Sequence, residues 1–123
     1  MKIWHIGVVL HGDKKGREIG FPTVNLDPLV FPKNKKEGVY AVLVRHENKI
    51  YKGALYFGSR LIFSEKNKVL EINVLDFKKN IYGEKVDFKI KSFIRVPKNF
   101  PSEKEFISQL KKDIKKINDS VSL

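Results

Sequence analysis

Apolar and polar residues alternate along most of this chain. In "KVDFKIKSFIRV" (85–96), Val86, Phe88 and Ile90 alternate with Asp87, Lys89 and Lys91, the period of a strand with one face buried. In "VLEINVLDF" (69–77), Leu70, Ile72 and Val74 share one face, and Glu71 and Asn73 share the other. "GVYAVLVR" (38–45) and "KIYKGALYFG" (49–58) are rich in aromatic and branched residues, and "HEN" (46–48) between them reads as a hairpin connection. "KKNIYGEK" (78–85) reads as a turn. With "WHIGVVLH" (4–11) and "TVNL" (23–26), the pattern predicts about six strands.

The period changes near the end. "FPSEKEFISQLKKDIKKIND" (100–119) puts Phe106, Ile107, Leu110, Ile114 and Ile117 on one helical face, with lysines on the other. Ser102 followed three residues later by Glu105 is a capping-box signature for the start of that helix. Short strands with no crossover helix, then one amphipathic helix, predict an all-β fold: a closed antiparallel barrel with a single C-terminal α-helix. No repeat, linker or low-complexity segment divides the chain, so one domain is expected over residues 1–123.

Composition narrows the chemistry. There is no Cys, which excludes disulfides, thiolate metal sites and Cys nucleophiles. His5, His11 and His46 are far apart and form no HxxxH or HExxH spacing, which argues against a zinc enzyme. No apolar run reaches the roughly 20 residues of a membrane helix. The start, "MKIWHIGVVLHG", lacks a cleavage-site pattern and reads as a first strand, so a cytoplasmic protein is expected. The net charge of +11, from 25 Lys and Arg against 14 Asp and Glu, favours anionic partners such as a nucleotide or nucleic acid. The lysines are scattered, however, not gathered in one block, and a solvated basic surface is the plainer account of them.

Two adjacent strings carry the candidate chemistry. "GDKKGREIG" (12–20) is neither a Walker A loop nor G-x-G-x-x-G. Its glycines at 12, 16 and 20 nevertheless allow backbone N–H groups to approach an anion, with Lys14, Lys15 and Arg17 adding charge. A basic hairpin loop is the plainer alternative. "GFPTVN" (20–25) follows, and on an extended strand Thr23 and Asn25 point the same way. A hydroxyl and an amide oxygen are hard ligands suited to Mg²⁺, and Pro22 stiffens the turn before them. Taken alone, the pair is also compatible with a solvated strand face.

The string "GVVLHGDKKGREIGFPTVNL" closely resembles the first motif of the riboflavin kinase (flavokinase) family, which also forms the C-terminal half of bifunctional FAD synthetases. The resemblance continues through "GVYAVLV" (38–44), "LEINVLDFKKNIYGEKV" (70–86) and "FIRVPKNFPSEKEFISQLKKDI" (93–114). It implies a six-stranded antiparallel Greek-key β-barrel with a C-terminal helix. It also implies transfer of a phosphoryl group from ATP to the 5′-hydroxyl of riboflavin, giving FMN and ADP. By that resemblance Thr23 and Asn25 match ligands of Mg²⁺ (with Zn²⁺ or Mn²⁺ as alternatives) and of phosphate. Gly12 and Arg17 match positions at the nucleotide phosphates, Glu71 matches the catalytic base, and Arg95, Lys98 and Phe100 match the flavin side.

One stretch departs from the family pattern. In "LYFGSRLIFSE" (55–65) Gly58 and Phe63 remain, but Leu61 and Ile62 stand where the family usually carries Pro-Thr. The expectation is therefore an Mg²⁺-dependent kinase, monomeric, acting on riboflavin and ATP without membrane or nucleic-acid partners. The start "MKIWHIG" favours a free-standing enzyme over an excised half. The rival from another class is a non-catalytic basic barrel that binds flavin or RNA. The net charge supports it, but no exposed strand face interleaves aromatic and basic residues as a single-strand platform does.

Overall fold

The computed structural model describes residues 3–11, 22–59 and 68–123. Within them the chain forms strands β1 (Trp4–Val8), β2 (Val24–Leu26), β3 (Gly38–His46), β4 (Lys49–Ser59), β5 (Lys68–Val74) and β6 (Lys85–Arg95). A single 3-10 turn, Pro28–Val30, follows β2, and helix α1 (Glu103–Ser120) closes the sequence. The strands lie in one antiparallel sheet of order β1-β6-β3-β4-β5-β2. Its two edges meet. Past Val8 the chain leaves β6 and turns to β2, where Leu10 N–H donates to the Asn25 carbonyl at 2.7 Å. The expected strand over 4–11 thus changes partner midway, and that change curls the sheet into a barrel.

Alternation chooses the barrel's inside. Leu26, Val42, Val44, Leu55, Leu70, Ile72, Val86 and Phe88 pack together as the main core. On β6 the strict period fails after Ile90. A register shift against β3 that skips Lys91 turns Phe93 inward, where its ring meets Tyr40 edge-on at 5.2 Å, and a second skips Ile94 before Arg95. Gly38 lies beneath this kink at φ 151, and a Cβ there would meet the Phe93 ring at 2.7 Å and the Arg95 carbonyl. The expected hairpin is a two-residue turn with Glu47 and Asn48 at φ 49 and 66, both left-handed, as the twist of paired strands requires.

A smaller core lies outside the barrel. Ala41 and Leu43 of β3 pack with Ile117 and Val121, partly enclosed by Trp4, Ala54, Leu75 and Ile94. Ser102 caps the helix as expected, its hydroxyl accepting the Glu105 N–H at 3.2 Å. The helical face differs from the expected apolar stripe in one respect. Asp113, which shares that face three residues after Leu110 and four before Ile117, is polar yet only 3% exposed. It sits one turn from Ile117 and is buried because Arg95 reaches it across the interface.

Candidate active site

Thr23, Asn25 and Glu71 are brought together on the outer face of β2 and β5. Asn25 pairs directly with Glu71, and residues directly opposite on paired strands share a face. Thr23, two residues earlier, donates from Oγ1 to Glu71 Oε2 at 3.3 Å. The neighbours of this set explain its outward direction: Val24, Leu26, Leu70 and Ile72 are all buried in the core. The three polar side chains present a hydroxyl, an amide and a carboxylate, all oxygen donors, at one place. That set fits a hard divalent cation of the Mg²⁺ kind.

The register extends the patch across the sheet. Glu71 pairs with Tyr56 of β4, Tyr56 with Val39 of β3, and Val39 with Arg95 of β6. Asn25, Glu71, Tyr56, Val39 and Arg95 therefore form one row across five strands. Arg95 is held at its end of the row by Asp113, with Nε 3.1 Å from both carboxylate oxygens and Nη2 3.0 Å from Oδ2. Gln109 donates to the same carboxylate at 2.9 Å. The Arg95 guanidinium carbon lies 5.7 Å and Lys98 Nζ 5.6 Å from the Phe100 ring centre, which in turn packs on Phe106. The expected trio of Arg95, Lys98 and Phe100 is thus one cluster at the junction of β6 and the helix.

Tyr56 and Asn73 are additions the sequence did not single out. Burial pushes the Tyr56 phenol above its ordinary value, the Glu37 and Glu71 carboxylates push it further, and Arg95 opposes them. Asn73 donates from Nδ2 to the Pro22 carbonyl at 2.9 Å and so anchors the residue before Thr23. Its place two residues from Glu71 was a readable signal for the shared face. Tyr56 had none, because its adjacency to Glu71 is a matter of register. Gly12 and Arg17 lie outside the described residues, as do residues 60–65 of the departing stretch.

Other features lie apart from the row. Among the described residues, His46, Glu47 and Glu84 bring ligand atoms within 4.8 Å of one another. His46 Nε2 and Glu84 Oε1 are already hydrogen-bonded at 2.8 Å, which ties the β3–β4 hairpin to the turn before β6. His11 stacks on Tyr82 at that same end, with ring centres 3.9 Å apart. Two open clefts of about 420 and 470 Å³ lie elsewhere, along the last turns of α1 and beside Phe31, Phe57 and Lys68. No helix among the described residues is long and apolar enough to cross a membrane.

Residues 2–121 match the riboflavin kinase (flavokinase) family model. The chain is 38% identical over 111 residues to a bifunctional riboflavin kinase/FMN adenylyltransferase of Listeria monocytogenes, covering 87% of this chain and 34% of the relative. It is 37% identical over 109 residues to the RNA-binding riboflavin kinase RibR of Bacillus subtilis, covering 88% and 46%. Among solved structures it is similar to a Streptococcus pneumoniae protein described as a macrolide-efflux protein, with a TM-score of 0.82 and 31% identity. That match covers 98% of this chain and 40% of the other. The chain spans about a third of the length of the bifunctional relatives it matches.

Proposed function

Because the chain belongs to the riboflavin kinase family, we propose that it transfers the γ-phosphoryl group of ATP to the 5′-hydroxyl of riboflavin, with Glu71 as general base. The observation that carries the reading is the convergence of Thr23 and Asn25 on Glu71, from segments 48 residues apart in sequence. Glu71 accepts the proton of the ribityl hydroxyl as its oxygen bonds to the γ-phosphorus. The bond from that phosphorus to the bridging oxygen breaks, and the electron pair leaves with ADP. A positioned carboxylate of this kind contributes about 10²–10⁴-fold. Phosphoryl transfer otherwise asks the protein for alignment and charge neutralisation.

Thr23 and Asn25 would hold Mg²⁺, which when bound neutralises charge on the phosphate oxygens. The Thr23 hydroxyl also holds Glu71 Oε2, which restrains the carboxylate's orientation. Arg95, Lys98 and Phe100 are assigned to the flavin side, where the Phe100 ring offers a stacking surface for a planar heterocycle. Gly12 and Arg17 are assigned to the nucleotide phosphates by family resemblance. The reading treats residues 1–123 as one kinase domain, monomeric and cytoplasmic.

The test is formation of FMN by the purified chain from riboflavin, ATP and Mg²⁺. The kinase reading expects turnover that requires the divalent ion. Absence of turnover with every nucleotide and divalent metal tried would overturn it. That result would leave a flavin- or RNA-binding module, which the net charge of +11 and the similarity to RibR favour as the second reading.

A further inference from the structure

We propose that Glu37 and Tyr56 are positioning residues that clamp Ser59 and thereby fix the flank of Glu71. This inference rests on the assignment of Glu71 as the base. Ser59 is the last residue of β4, and both of its backbone groups are held by side chains. Its N–H donates to Glu37 Oε1 at 2.9 Å, and its carbonyl accepts the Tyr56 hydroxyl at 2.6 Å. Neither bond belongs to the sheet ladder. Both are made on the outer face, where Tyr56 stands directly opposite Glu71.

Gly58 makes the clamp possible. A Cβ at that position would lie 2.8 Å from Tyr56 Oη and 2.9 Å from Glu37 Oε1, closer than real Cβ atoms come. With no side chain there, the phenol lies along β4 and Glu37 reaches in from the segment before β3. The ring then cannot swing away from Glu71. The carboxylate is bounded by Tyr56 on one strand and by Thr23 and Asn25 on the other. The phenol hydroxyl donates to the Ser59 carbonyl at 2.6 Å, a bond that the geometry alone carries. A base confined between two walls keeps its alignment with an incoming hydroxyl, and small misplacements of a reacting group cost up to about 10²-fold in rate.

Four variants test this: Tyr56→Phe, Glu37→Ala, Glu37→Gln and Gly58→Ala. Tyr56→Phe and Glu37→Ala are expected to lower kcat by about 10- to 100-fold with KM for ATP unchanged. Glu37→Gln retains an oxygen that accepts from Ser59, and is expected to stay within about threefold of wild type. Ultraviolet titration of the tyrosines, with Tyr56→Phe as the blank, should show the phenol pKa falling in both Glu37 variants. Rescue of rate by Gln without rescue of the pKa separates the hydrogen bond from the charge. Gly58→Ala should mimic Glu37→Ala, and thermal melting of each variant reports whether it is folded.

Amide exchange at Ser59 reads the clamp without turnover, and Glu37→Ala should accelerate it by about tenfold or more. Unchanged exchange would overturn the clamp, whatever the enzyme's activity. Accelerated exchange with kcat still within about threefold of wild type would overturn the positioning role. A wild-type chain that forms no FMN would overturn the kinase reading instead, and the exchange result would still decide whether Ser59 is clamped.

Discussion

Thr23 donates to Glu71 across 48 residues of sequence, from Oγ1 to Oε2 at 3.3 Å. The bond exists because β2, only three residues long, is paired with β5 in the register that sets Asn25 opposite Glu71. A hydroxyl that can bind a metal and a carboxylate that can take a proton are therefore held side by side. Their separate contributions can be measured one at a time.

Glu71→Gln keeps the size and the hydrogen-bonding oxygen of the side chain but removes its basicity. Turnover is expected to fall by about 10²–10⁴-fold, with binding of ATP and riboflavin retained by calorimetry. Activity within a few-fold of wild type would remove Glu71 from the role of base.

Thr23→Ala and Asn25→Ala each delete one oxygen donor at the proposed metal position. Each should raise the Mg²⁺ concentration needed for half-maximal FMN formation by about tenfold or more. The measurement is a metal titration at saturating ATP and riboflavin, and an unshifted curve would exclude the residue as a ligand.

Asp113 is 3% exposed and is held by Arg95, itself 17% exposed, through a two-pronged contact. Asp113→Ala would leave a guanidinium largely buried without its carboxylate, at a cost of about 3–5 kcal/mol. Urea unfolding measures this loss. Flavin affinity should weaken in parallel, because Arg95 and Phe100 lose the support that sets their direction.

His5 packs on Phe88 with ring centres 5.1 Å apart. Burial, and then the nearby charge of Lys35, lower its pKa below the ordinary 6.5. Between the lowered value and 6.5 the unfolded chain binds more protons than the native one, so stability declines as pH falls through that window. His5→Gln should shrink the difference in unfolding free energy between about pH 7.5 and about pH 5. An unchanged difference would exclude His5 as a source of acid sensitivity.

Most of the elements were legible in the chain itself. The alternation around Leu70, Ile72 and Val74 decided that Glu71 and Asn73 face away from the core, and the structure has them so. Ser102 marked the start of the helix, and "HEN" marked the hairpin between β3 and β4. These features follow from local physics: a strand repeats every two residues, a helix every 3.6, and caps and turns satisfy groups within a few residues.

What the sequence by itself determined is which elements form, in what order, and most of the residues that face inward. Only the tertiary structure decided which outward residues meet. Glu71 could have faced any partner on β2 and β4, and barrel closure set Asn25 on one side of it and Tyr56 on the other. One irregularity in β6, at Lys91, turned Phe93 inward against the alternation. Asp113, a charge set on the apolar face of the helix, became the buried anchor of Arg95. Register and side-chain pairing between distant segments are fixed by closing the sheet on itself and docking the helix across it. Those are long-range choices that no local period encodes.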